Sequence, residues 1–210
     1  MAARTTEPAL LTAEDLACER GGRLVFAGVA LALASGEALI LRGPNGAGKS
    51  SLLRLLAGLL EPAAGTLWWN GRPVRDDPAE HRSRVHLIGH SNAIKSALTV
   101  RENLGFAIAV FGGAAGGSER ALERFDLGAL ADVPARYLSA GQRRRLALAR
   151  LLAAARPLWL LDEPDAGLDA ANREHLAQAV AEHRAEGGIA VIATHGDIGV
   201  RAPHVLELAA

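Results

Sequence analysis

Gly43-Pro44-Asn45-Gly46-Ala47-Gly48-Lys49-Ser50 satisfies the pattern G-x-x-x-x-G-K-[ST] at every fixed position. A short apolar run, Ala38 to Leu41, precedes it. Ser50 to Leu60 follows, with Leu52, Leu53, Leu55, Leu56 and Leu59 at helical spacing. Strand, glycine loop and helix, in that order, form the context the pattern needs to hold phosphate. Glycines let consecutive backbone N–H groups curl around phosphate oxygens. The helix N-terminus turns its dipole on the same anion. Lys49 is placed to bridge β- and γ-phosphates, and the Ser50 hydroxyl to ligand Mg²⁺. The residues from Gly43 through Ser51 are therefore the expected nucleotide-binding segment. A glycine-rich turn that merely joins strand to helix would look the same in isolation, so the rest of the chain must decide.

Downstream, Leu158-Trp159-Leu160-Leu161 is an apolar strand ending in Asp162-Glu163. Two carboxylates at the mouth of a buried strand are costly to desolvate unless they have a use. Asp162 is placed to hold Mg²⁺ through a water, and Glu163 to polarise a water attacking the γ-phosphate. A solvated strand end or a helix cap is the competing reading.

The intervening pattern supports an α/β fold. Leu10 to Cys18 and Arg23 to Ala34, joined by Gly21-Gly22, read as an antiparallel β region. Gly65 to Trp69, Val85 to Ile88 and Ile189 to Ala193 are further strand candidates. Thr99 to Ala109, Ser118 to Phe125, Gln142 to Ala155 and Ala170 to Arg184 read as helices. Strands alternating with helices imply a mostly parallel sheet with helices on both faces. A helical subdomain over roughly residues 92 to 155 interrupts it, and Gly112 to Gly117 reads as a flexible surface loop. One domain over residues 1 to 210 is the expected organisation.

Composition excludes several classes. The chain has 210 residues, half of them apolar, and zero formal net charge, so no nucleic-acid footprint covers the surface. The single cysteine, Cys18, excludes a disulfide framework. The longest apolar stretches, Leu24 to Ala34 and Leu104 to Ala115, fall short of the ~20 residues of a membrane span. Met1 to Leu11 lacks the apolar core of a signal peptide. The expectation is a soluble chain whose membrane association, if any, comes through a partner. The scattered histidines read as surface residues.

Leu138-Ser139-Ala140-Gly141-Gln142 narrows the reading. It resembles the LSGGQ signature of ABC ATPases, with alanine for the first glycine. Ser139 is also an N-cap candidate, with Gln142 completing a capping box. Ala166-Gly167-Leu168-Asp169 looks like the D-loop of that family, and His195 in Ala193-Thr194-His195 like its switch histidine. The resemblance implies the P-loop ABC-ATPase fold, with ATP and Mg²⁺ as cofactors. It implies a homodimer in which Ser139, Ala140, Gly141 and Gln142 of one copy meet the γ-phosphate held by the other. It also places Glu163, His195 and His90 in catalysis, and Ser50, Asp162 and His90 around the metal. His90 stands where most ABC ATPases have the Q-loop glutamine, and Arg20 where an adenine-stacking aromatic is expected. A guanidinium can stack on a base.

Gly89-His90-Ser91-Asn92-Ala93-Ile94-Lys95, with Leu16 to Arg20 and Leu158 to Pro164, is similar to the CcmA family, the ATP-binding subunits of cytochrome c maturation transporters. That family usually has glycine where Ala93 stands. The resemblance implies an ATPase turning ATP and water into ADP and phosphate, of the haem-transporting class. It implies a peripheral subunit on the cytoplasmic face of the bacterial inner membrane, beside a CcmB-like integral partner and without nucleic acid. Cys18 lies in no C-x-x-C-H motif, and nothing in the sequence visibly binds haem. Ile94, Leu98, Phe106 and Phe111 are candidates for an apolar groove receiving a partner helix, or for core packing of the insert. The competing functions are another ABC transporter, a soluble ABC protein acting on ribosomes or DNA, and a P-loop kinase.

Overall fold

The computed structural model describes residues 10–113 and 116–209. Nine strands and six α-helices occur among them. In chain order they are β1 (Leu10–Arg20), β2 (Arg23–Ala34), β3 (Ala38–Arg42), α1 (Lys49–Leu56), β4 (Ala64–Trp69), β5 (Arg72–Pro73), α2 (Pro78–Ser83) and β6 (Val85–Ile88). Then come α3 (Val100–Phe111), α4 (Gly117–Arg124), α5 (Ala140–Ala153), β7 (Leu158–Asp162), α6 (Ala170–Ala185), β8 (Ile189–Ala193) and β9 (His204–Glu207).

Two sheets organise the fold. The first is antiparallel, in the order β2-β1-β4-β5. The second is wholly parallel, in the order β6-β7-β8-β3-β9. Every residue of β7 and β8 is buried, so both faces of the parallel sheet are covered. Alternation sorts their side chains. Leu158, Leu160, Ile189, Val191, Leu39 and Leu41 join the core that holds α1 and the antiparallel sheet. Trp159, Leu161, Ala190, Ile192 and Ile40 join the core that holds α3, α5 and α6. Helices thus lie on both faces, but on one face an antiparallel sheet backs α1.

Element boundaries depart from the sequence reading where a local feature intervenes. Helix α1 stops at Leu56, not Leu60, because Gly58 turns left-handed (φ 67°) and Leu59 swings into solvent at 58 % exposure. Its four leucines, 52, 53, 55 and 56, are all buried, each contributing about 2 kcal/mol of burial. Near Gly112 to Gly117, Gly113 and Gly117 press against the Ala153 carbonyl at the end of α5. An added Cβ would meet that oxygen at 2.5 and 2.7 Å. These two glycines permit close packing, and are not slack in a surface loop; residues 114 and 115, like 1 to 9, lie outside the described residues. Strands β5 and β9 and helix α2 were not anticipated. The two strands are edge strands with little burial, and so little alternation to detect.

The histidines are the clearest correction. His81, His86 and His183 are buried, not at the surface. Each satisfies a backbone carbonyl: His81 Nε2 that of Leu56 at 2.8 Å, His86 Nε2 that of Ala154, and His183 Nε2 that of Ile189 at 3.2 Å. His183 also stacks on Trp159, with centroids 3.9 Å apart and planes 5° from parallel. A neutral imidazole is apolar enough to bury once one nitrogen is bonded. Burial accordingly pulls His86 and His183 down to about 4.

Candidate functional site

The carboxyl ends of β3, β7 and β8 all face one side of the parallel sheet, because parallel strands end together. Three chemistry-bearing segments emerge there: the glycine loop after β3, Asp162-Glu163 at the end of β7, and Thr194-His195 after β8. Val25, Asn45, Gly46, Gly48, Lys49, Ser50, Ser51, His90, Asp162 and Glu163 line a cleft of about 500 Å³.

The loop's shape is set by two tight approaches. Gly43 (φ 141°) lies against the Leu208 carbonyl, which a Cβ would meet at 2.4 Å, and Gly48 (φ 96°) lies against Val25 and Phe26. Gly48 caps α1 without a side-chain hydrogen bond, so the first-turn N–H groups have no side-chain acceptor at the cap. Lys49 is buried, and its Nζ donates to the carbonyls of Gly43 (2.6 Å) and Pro44 (3.1 Å). An ammonium has three donors, so one remains for another acceptor.

Opposite the loop, Asp162 is 4 % exposed, with its Oδ2 3.8 Å from His90 Nε2. Glu163 holds a left-handed backbone (φ 46°). Its N–H donates to the Ala193 carbonyl at 2.8 Å, and its Oε1 lies 3.5 Å from His195 Nε2. His195 Nε2 also donates to Asn45 Oδ1 at 3.1 Å, tying β8 to the glycine loop. No cluster of three or more His, Cys, Asp or Glu that would cage a metal occurs among the described residues. A hydroxyl (Ser50) and one carboxylate (Asp162) are instead the donor set by which Mg²⁺ is held jointly with substrate phosphates, so the residues fit that ion.

Not every expected residue converges on the cleft. Arg20 sits exposed at the end of β1 and is not among the cleft's walls, whereas Val25 from β2 is. The signature segment also stands apart. Ser139 caps α5, accepting from Gln142 N (3.2 Å) while Gln142 Oε1 accepts from Ser139 N (2.7 Å). Gly141 lies beside the Gly167 carbonyl, which a Cβ would meet at 3.0 Å. Asp169 caps α6 through Asn172 N at 2.8 Å. Of the four groove candidates, Ile94 packs against the core, Leu98 is half-buried, and Phe106 and Phe111 are exposed at 46 % and 38 %. Lys95 Nζ lies 4.4 Å from the Phe106 ring centre.

Two residues escaped sequence reasoning. Thr194 Oγ1 donates to Asp165 Oδ1 (3.2 Å) and accepts from Gly196 N (3.2 Å), joining the segment after β8 that carries His195 to the turn just before Ala166. Arg144 is buried behind the acid pair, where Asn92 Oδ1 is one of its acceptors (3.1 Å). Burial lowers the Arg144 pKa, opposed by attraction to Asp162, Asp165 and Glu163. The available signal was periodicity: within Arg143-Arg144-Arg145, only Arg144 shares a helix face with Leu148 and Leu151.

Comparison with known proteins agrees with this geometry. The ABC transporter family model matches residues 26–166. The chain is 52 % identical over 201 residues to the cytochrome c biogenesis ATP-binding export protein CcmA of Paramagnetospirillum magneticum, covering 94 % of this chain and 93 % of that one. It is 53 % identical to the protein of the same name from Rhodospirillum rubrum, covering 96 % and 86 %. Among solved structures, an ATP-binding subunit of an ABC transporter superposes with a TM-score of 0.81 at 29 % identity, over 89 % of this chain and 79 % of that one. A Pyrococcus furiosus putative ABC transporter ATP-binding protein shares the fold, with a TM-score of 0.83 at 22 % identity, over 95 % and 97 %. The chain belongs to the ABC transporter ATPases and, within them, to the CcmA family of cytochrome c biogenesis ATP-binding export proteins.

Proposed function

We propose that the chain hydrolyses ATP as one of two identical copies beside an integral membrane partner, energising cytochrome c biogenesis. The observation that carries this reading is the division of the site. One cleft gathers Lys49, Ser50, Asp162 and Glu163, with His195 at its edge, while no residue of the Ser139 segment lines it. A half-site of this kind leaves the terminal phosphate open on the side that a second copy's α5 would cover.

The loop N–H groups and Lys49 bind the β- and γ-phosphates. Mg²⁺, held by Ser50, Asp162 and, more weakly, His90, would neutralise charge on those phosphates. Glu163 orients the attacking water as its base, and His195 would turn its Nε2–H, the one donor of a neutral imidazole, from Asn45 Oδ1 to the γ-phosphate. Ser139 serves the opposite copy. Its oxygen accepts from Gln142 N, which leaves its hydroxyl hydrogen free to donate. Val25 and Arg20 flank the base, with Val25 nearer the phosphates.

No helix among the described residues is long and apolar enough to cross a membrane. The exposed Phe106, Val110 and Phe111 of α3 offer the apolar surface on which a CcmB-like partner would dock, at the cytoplasmic face of the inner membrane.

Glu163→Gln tests the shared site. It should keep ATP affinity, lose turnover by ~10²-fold or more, and run as an ATP-dependent dimer in size-exclusion chromatography with light scattering. A monomer that binds ATP and hydrolyses it at the full rate overturns the proposal. Co-purification from membranes with an integral protein separates it from a soluble ABC protein.

A further inference from the structure

Helix α5 reaches the acid pair from behind through one side chain. The Arg144 guanidinium donates through Nε to the Pro164 carbonyl (3.2 Å) and through one terminal nitrogen to the Gly89 carbonyl (2.9 Å) and Asn92 Oδ1 (3.1 Å). Its other terminal nitrogen donates to the carbonyls of Asp162 (2.7 Å) and Glu163 (2.6 Å). Arginine has five N–H donors, and here five acceptors match them. They fall on two segments: the loop after β6 that carries His90, and the end of β7 with the turn that follows it, which carry Asp162 and Glu163.

That turn has a reason to need holding. Glu163 is left-handed at φ 46°, a conformation costing a non-glycine residue about 1 kcal/mol or more. Its N–H is tied to Ala193 and its carbonyl to Arg144. The backbone is thus clamped from both sides, and the clamp fixes where the carboxylate points. The same helix repeats the device: Arg150 donates to the carbonyl of Ala93 (2.9 Å), another left-handed residue (φ 48°), in the loop that carries His90.

We propose that Arg144 is a positioning residue that aims Glu163 at the cleft and makes the acid pair move as one body with the His90 loop and the signature helix. A planar fork bonded to both segments transmits displacement between them. A lysine, with three donors on one point, cannot span them. The consequence is that α5, whose N-terminus faces the partner copy's nucleotide, also sets the geometry of hydrolysis in its own copy. This rests on Glu163 orienting the water.

The test uses the full chain and Mg-ATP, with Arg144→Lys, Arg144→Gln and Asn92→Ala. Arg144→Lys should lower kcat ~10-fold or more while KM for ATP changes by less than ~2-fold, because aim and not binding is lost. Asn92→Ala removes a single acceptor and should lower kcat a few-fold, again with KM unchanged; it decides the matter if the arginine variants fail to fold. Arg144→Lys added to Glu163→Gln should lower residual turnover no further than Glu163→Gln alone, since both act on one group. A folded Arg144→Lys protein with unaltered kcat, or a fully additive loss in the double variant, overturns the proposal. Retained turnover in Glu163→Gln by itself would instead overturn the role of Glu163.

Discussion

Helices α1 and α5 both present their N-termini to phosphate in the proposed mechanism, yet they are finished differently. Helix α1 starts from a left-handed glycine, Gly48, with no side-chain cap. Helix α5 starts from Ser139 in extended conformation, with a complete capping box. An uncapped end leaves orphan N–H groups to a ligand. A boxed end has already satisfied two donors internally. So α1 is a cradle that needs an anion to be complete, while α5 is stable by itself and offers only a hydroxyl and a dipole. The C-terminal ends are alike: a buried histidine bonds the Leu56 carbonyl ending α1 and the Ala154 carbonyl capping α5.

The largest effect should come from breaking the cradle. Lys49→Ala removes the one side-chain charge inside the loop, a residue only 7 % exposed. Nucleotide affinity of the isolated chain should fall ~100-fold or more, on the scale of a lost charge-assisted phosphate contact. Isothermal titration with ATP measures it. Ser139→Ala should leave that affinity unchanged, because in the proposed dimer Ser139 serves the other copy's nucleotide. Equal losses in both variants would erase the distinction between the two helix ends.

Acid tests the ends that the helices share. His86 is held near 4 by burial, against about 6.5 in an unfolded chain. The unfolded chain therefore takes the proton first as pH falls. Stability is complete above pH 6.5 and drains away down to about pH 4. Between pH 7 and pH 5 the loss from His86 should be about 2 kcal/mol, and His183, which sits at a similar value, should add about as much again. Urea midpoints across that range check the slope. His86→Gln, which cannot titrate, should roughly halve it; an unchanged slope would mean that His86 is not buried neutral.

What the sequence disclosed follows from period and composition. Strands β7 and β8 were legible because continuous apolar runs, four residues before Asp162 in β7 and five in β8, have few alternatives. The glycine loop was legible because each of its residues answers a steric or charge demand of phosphate. The box at Ser139 was legible because both partners lie within four residues of chain. Contacts between distant segments were not. His81 and His86 depend on carbonyls 25 and 68 residues away, and Arg144 on acceptors 18 to 55 residues away. No local pattern encodes such pairs, and a polar residue on an apolar helix face is the only hint. Ala93 is instructive in the same way. Its left-handed backbone shows why glycine would suit that position, while the bond from Arg150 shows what holds alanine there.

The smallest effect is the most discriminating, because it separates the two tasks of Ser139. Ser139→Ala removes the acceptor for Gln142 N and should cost about 1 kcal/mol of stability, the usual worth of an N-cap. Ser139→Asp restores the cap, so its urea midpoint should return to within a few tenths of a kcal/mol of the unaltered chain. The two variants should nevertheless share a loss of turnover, since neither has a hydroxyl hydrogen to donate. The aspartate should be the worse catalyst, because its charge would face a phosphate across the proposed dimer. Stability and turnover therefore part company in the aspartate variant. Recovery of both together would reduce Ser139 to a helix cap, and α5 would no longer be half of the partner's site.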